Sequence, residues 1–444
     1  MRQRTFAPIA YAAAVIAYST CTWMLPRVVQ AQAFDVNDVS YLWPPPVDKT
    51  DVDGLISADQ PLADDGRSVW PQALFDAVIK RANTITVTNS ADAEEKIDFR
   101  PIDNEVRLRH NWKVAAVRID PSAPGTAPMV TAAFGTVPQV RLVLQPVLVD
   151  DDGNAQVHDL AAHLVFNFVE RFEPQPGGRG LPRAIPDMQA FGAIIADLRA
   201  LKQQLSAVGV TTVGKLSVHP GFRENSPTFA DGLKAVLRKH LREEKLAAIA
   251  FMGLNTPEPW IFFAMTIKDG APSDIAHPAL GGMPAQMLTF RGGVPVMPVP
   301  TARNIDANRG VSTALLFPAL GEDVTTKLKR PVFDDAQRPT YQDIPDIIAN
   351  PLRSHFFNTD CVSCHSESVR RSGLGIMPTD NQFAYELPAN VSGGDDSLLP
   401  QSKWNVRNLG WFPARGKPAV ATITVRTANE SAEAAAYINV HYAK

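Results

Sequence analysis

Cysteine is scarce in this 444-residue chain: there are three, at positions 21, 361 and 364, too few for the disulfide framework on which small exported domains depend. Charge of one sign is lacking as well. Lys and Arg number 43 against 46 Asp and Glu, a formal net charge of -3, so no field gathers nucleic acid or an anionic membrane surface. Beyond Leu25 no apolar run is long enough to span a bilayer, and there is no internal repeat or low-complexity tract. Also missing are a serine-hydrolase elbow, a phosphate-binding glycine loop, a dinucleotide fingerprint and a zinc-protease helix pair.

What is present starts with a targeting signal. Arg2 and Arg4 give a positive start, Phe6 to Leu25 is apolar and rich in Ala, and Ala31-Gln32-Ala33 offers the small residues that a signal peptidase accepts. Residues 1–33 are therefore expected to be cleaved, leaving a mature chain that begins at Phe34, exported to what would be a bacterial periplasm. A membrane association arises only if that segment stays uncleaved. Cys21 leaves with it; a lipid anchor there fits poorly, because Tyr18-Ser19-Thr20 lacks the aliphatic and small residues such a site uses. Two thiols remain, Cys361 and Cys364, in an oxidising compartment that does not leave a close pair unused.

With 45% apolar residues, the chain exceeds the ~250–300 residues at which single cores stop growing. The 37 prolines fall mostly between apolar runs, which predicts short elements and ordered loops. Helical spacing is found over Trp70 to Ala82, Met188 to Leu205 and Phe229 to Leu241. Runs dense in Val, Leu and Phe at Trp112 to Ile119, Gln139 to Val149, Leu160 to Val169, Leu246 to Met252 and Trp260 to Ile267 read as strands. The fold class expected is an α+β body with a mainly antiparallel sheet over 34–325, with a possible internal boundary near 174–186. A small, mainly helical region over 326–444, which holds Cys361 and Cys364, is expected to follow. Asp269 to Asn304 reads as loop, Thr326 to Pro339 as linker, Pro418 to Val425 as a strand, and Glu430 to Tyr442 as a helix started by a Thr427/Glu430 capping box.

Chemistry concentrates in Cys361-Val362-Ser363-Cys364-His365, the C-x-x-C-H pattern of covalent haem attachment. Two thiols three positions apart on a helical turn can each add to a vinyl group of one porphyrin. The imidazole that follows is then held under the iron. A thioredoxin-type redox pair needs a preceding strand, whereas Asn358-Thr359-Asp360 follows a helix-like segment; zinc needs a second close ligand pair, which is missing.

At these five residues, and in a helix before them (Ile344 to Phe357, interrupted by Pro351) and one after them, the chain resembles the c-type cytochromes over about a quarter of its length. The resemblance implies one covalent haem c bound through Cys361 and Cys364, with His365 as proximal iron ligand and a downstream Met as sixth ligand. That Met is Met377, in Gly375-Ile376-Met377-Pro378; the alternatives are a His such as His355, His441 or one from the N-terminal body, and an open position. The strand at Pro418 to Val425 departs from an all-helical cytochrome.

Other groupings read blandly. His158 and His163 fall on opposite faces of one strand if it is continuous, and Asp150-Asp151-Asp152-Gly153 is a turn lacking a calcium loop's later ligands. Met283, Met287 and Met297 read as packing residues rather than copper ligands. Arg353, Arg370 and Arg371 are candidates for pairing with haem propionates, and Trp404, Trp411 and Phe412 for walling the pocket. The function expected is electron transfer to a redox partner protein. The alternatives are a haem enzyme with an open sixth site, acting on peroxide or a small molecule, and a haem-tethered sensing module.

Overall fold

A computed structural model describes residues 33–61, 66–88, 96–98, 102–123, 125, 131–132, 135–174, 182–224, 227–254, 260–275, 285–291, 294–296, 343–356, 359, 361–373, 383–402, 405–414 and 417–442. Met377, Thr326 to Pro339 and Trp404 lie outside them, as do Met283 and Met297, and the side chains of Met287 and Arg370 are not described. Ala33–Lys444 form one compact unit.

In chain order the strands are β1 (Ser40–Leu42), the ribbon β2 (Thr86–Thr88) and β3 (Lys96–Asp98), then β4 (Trp112–Ala123), β5 (Val137–Val149), β6 (Ala155–Val157) and β7 (Leu160–Asn167). A second ribbon, β8 (Val169–Glu173) and β9 (Arg183–Pro186), precedes β10 (Leu246–Leu254), β11 (Trp260–Lys268), β12 (Ala271–Asp274), β13 (Ala285–Arg291) and β14 (Val294–Val296); β15 (Leu409–Phe412) and β16 (Val420–Ile423) close the series. The described helices are α1 (Lys49–Gly54), α2 (Gln72–Thr84), α3 (Met188–Ala207), α4 (Pro220–Glu224), α5 (Thr228–His240), α6 (Asp343–Ala349), α7 (Cys361–Gly373) and α8 (Val425–His441).

The main sheet runs β1-β4-β5-β7-β10-β11-β13-β14, with β6 beside β5 and β12 beside β11, and its ladders are antiparallel. The chain is thus α+β with a mainly antiparallel sheet, as its alternating apolar runs predict. Because side chains alternate along a strand, Leu142, Leu144, Leu164, Ile249 and Phe251 share one face and are buried. On that face Trp112 meets Trp70 and Phe75 edge-on, with ring centres 5.4 and 6.1 Å away. The opposite face carries Arg141, Val143, His163, Ala250 and Ala264, brought level by register.

This second face is covered by the last hundred residues. Gln145 donates to the Trp411 carbonyl at 2.7 Å and accepts from the Trp411 N–H at 2.7 Å. Gly410 permits that approach: its φ is +144°, and a Cβ there would lie 2.5 Å from Gln145 Oε1. From α8, Glu430 pairs with Arg118 of β4, and Ser431 Oγ lies 2.7 Å from Ser40 Oγ of β1. The described part of 326–444 is therefore joined to the body, with β15, β16 and α8 forming a layer on the sheet rather than a separate helical region.

Three local expectations are corrected. Asp269 to Asn304 contains strands, because Asp269 and Gly270, both at positive φ, turn β11 back into β12 with Lys268 opposite Ala271, and β13 then pairs with β11. The helix before the motif ends at Ala349, since Pro351 disfavours helical backbone at Asn350. The last helix begins at Val425, capped by Thr424, whose side chain accepts from the Thr427 N–H; the Glu430 carboxylate is taken by Arg118 and Arg426 and does not reach back to a cap.

Candidate functional site

Cys361 opens α7, so Cys364 and His365 stand three and four positions on and share its face. Both thiols are free of a disulfide. Burial pushes the Cys364 thiol up to about 11, which keeps it protonated at neutral pH. Asn408 Nδ2 donates to Cys364 Sγ at 3.4 Å.

His365 is oriented from behind. Its Nδ1 lies 2.8 Å from the Val406 carbonyl, and since a carbonyl only accepts, Nδ1 carries the proton. Nε2 is then the ring atom left with a lone pair for a metal, the arrangement by which a backbone carbonyl fixes the tautomer of a ligating histidine. Burial lowers the imidazole to about 4, so the neutral, ligating form prevails.

The short segment 405–408 before β15 supplies these contacts. Arg407 ion-pairs with Asp159 at 2.6 Å and lies over the Trp260 ring, 5.6 Å from its centre. Burial raises the Asp159 carboxyl to about 6 although Arg407 pulls it down. Around this segment several buried polar atoms have no hydrogen-bond partner among the described residues: Arg407 Nε and Nη1, Trp260 Nε1 and Asn408 Oδ1. An unpaired buried donor or acceptor costs about 1–3 kcal/mol. The donors among them, Arg407 Nε and Nη1 and Trp260 Nε1, fit a bound group with acceptor oxygens, such as a porphyrin's propionates.

His163, treated in sequence as an ordinary strand histidine, comes to the motif. It projects from the middle of β7, opposite Val143 and Ala250 in register, and its ring centre is 6.4 Å from that of His365, with the rings inclined at 58°. His158 lies off the strand, in the link between β6 and β7, so the continuous strand assumed for the pair does not form. Phe262, on the same sheet face, sits 5.1 Å from the His365 ring. Burial, then the charges of His365 and Arg141, lowers His163 to about 3.

The other candidates scatter. Arg371 is held inside the C-terminal layer by Glu367 and Asp346, and Arg353 lies over Phe383. Trp411 is buried against the sheet, donating to the Trp43 carbonyl at 2.9 Å. His441 packs at a tilt against Tyr437 near the end of α8, with ring centres 4.1 Å apart. Asp150 accepts from the N–H groups of Asp152 and Asn154, a turn as expected. Among the described residues no three or more His, Cys, Asp or Glu side chains converge on a bare ion, and no helix is long and apolar enough to cross a membrane.

Sequence reasoning missed segment 405–408 and His163. Neither carries a motif: Val406 meets His365 across 41 positions, and His163 is brought there by strand register. Comparison with protein-family models, with curated proteins and with solved structures found no match to this chain.

Proposed function

We propose that this chain carries one haem c, attached through Cys361 and Cys364 with His365 as axial ligand, and that it is an exported electron-transfer protein. The observation that carries the reading is the placing of Cys361, Cys364 and a carbonyl-oriented imidazole on one face of the first turn of α7. Each thiol would add across a vinyl group, sulfur to one carbon and hydrogen to the other, so that no group leaves and no oxidant is consumed. A haem held there supplies a one-electron ferrous–ferric couple.

The chain's own residues bind and orient. Val406 holds His365 with Nε2 outward, Asn408 meets Cys364, and Arg407 offers two unpaired N–H groups to an anionic edge. The body and the C-terminal layer cover part of the motif, whose cysteines and histidine are half-buried. The Ala31-Gln32-Ala33 cleavage site supports export, after which a redox protein is the expected partner.

Substituting Cys361→Ala together with Cys364→Ala tests attachment. Haem staining of a denaturing gel should be positive for the parent chain and negative for the double variant; persistence of the stain in the double variant would refute the assignment.

A further inference from the structure

His163 stands where a second axial ligand belongs. Its ring centre lies 6.4 Å from that of His365 with the rings inclined at 58°, so the two are not stacked, and they are too far apart for a direct hydrogen bond. One metal atom between two imidazole nitrogens, with bonds of about 2.0–2.1 Å each and about 1.1 Å from nitrogen to ring centre, separates the centres by about 6.3 Å. The observed spacing is that of a single bridging atom. His365 reaches the gap with Nε2, because Nδ1 is committed to Val406. No hydrogen bond is made by either nitrogen of His163 among the described residues, and the residue is half-buried.

The surroundings leave room beside it. His163, Cys364 and His365 all keep part of their surface uncovered, as do Ala250 and Ala264, the residues next to His163 across β10 and β11. Across β10 and β11 the side chains level with this histidine are therefore small.

We infer that His163 of β7 is the sixth ligand of the haem iron, making the centre bis-histidine and tying α7 to the middle of the sheet through the metal. The inference rests on the attachment reading above. It assigns the ligand to the body rather than to the C-terminal motif region, and it takes the role from Met377. A six-coordinate centre of this kind carries electrons and has no vacancy for substrate, with a potential below that of Met/His ligation.

The test uses the exported holoprotein and His163→Ala, His163→Met and Met377→Ala. Haem staining on a denaturing gel is read first, because attachment depends on the cysteines and survives loss of His163. The parent should be low-spin in both oxidation states, without a sulfur-to-iron charge-transfer band, and slow to bind carbon monoxide. His163→Ala should keep the covalent haem, become high-spin, bind carbon monoxide rapidly and regain the low-spin spectrum on addition of imidazole. His163→Met should acquire the sulfur band with a raised potential, and Met377→Ala should match the parent. A stained His163→Ala protein with the parent's low-spin spectrum overturns the inference while sparing attachment, as does a parent that is high-spin or shows the sulfur band. A parent without stain overturns both.

Discussion

Single residues in this fold are held by partners distant in sequence, and His219 shows what that does to their chemistry. It is buried, stacked on Phe229 with ring centres 4.4 Å apart, and its Nδ1 accepts from the Gly221 N–H at 3.0 Å. Burial, helped by the charge of Lys202, lowers its imidazole to about 3, against about 6.5 in the unfolded chain. Between those values the unfolded state binds a proton that the folded state refuses. This contribution to stability is complete above pH 6.5 and is lost progressively as pH falls toward 3. His219→Phe, measured by denaturant unfolding from pH 4 to 7, should therefore flatten the pH dependence by up to about 1.4 kcal/mol per pH unit; curves parallel to the parent would contradict this. At the same scale, Cys361, Cys364 and His365 stand out in the sequence because the proposed attachment would require their fixed local spacing. His163 does not: a histidine on a strand has no signature until register places another imidazole beside it.

Elements were legible where periodicity was strong and obscure where tertiary pairing decided. The Met188 and Thr228 helices and the strands from β4 to β11 follow their apolar spacing, whereas β12 and β13 lie in a stretch rich in Gly and Pro and exist because β11 offers them an edge. The capping of α8 went to Thr424 because Glu430 is drawn into a buried charge network. Arg426 is the hub of that network. Its Nη1 donates to the Ile348 carbonyl at 2.8 Å, its Nη2 to the Ser354 carbonyl at 2.8 Å and its Nε to Glu430 at 2.7 Å, so it ties α8 to the end of α6 and the turn that leads toward the motif. Removing one member of a buried ion pair costs about 3–5 kcal/mol. Arg426→Ala should cost that much in chemical denaturation, and a loss below about 1 kcal/mol would show that the network contributes no more than a surface pair.

On the scale of the whole molecule, the chain closes on itself. The Phe34 N–H donates to Asn439 Oδ1 at 2.7 Å and its carbonyl accepts from Asn439 Nδ2 at 2.9 Å, so the residue expected to become the mature amino terminus is fastened to the last helix. Lys202, buried with Asp38 at 2.6 Å, secures the same segment to α3. Contacts spanning 405 positions leave no trace in local patterning, which is why the sequence predicts a body followed by a separate haem region while the described residues of 33–444 pack as one unit. That unity gives the motif a protein wall on the sheet side, formed by β7, β10 and β11. The central claim is that this wall and α7 hold one covalent haem in an exported, processed chain. Intact mass spectrometry of the exported protein in denaturing solvent tests it most directly: a polypeptide beginning at Phe34 plus the mass of one haem is expected, and a polypeptide mass with no haem added would contradict the account.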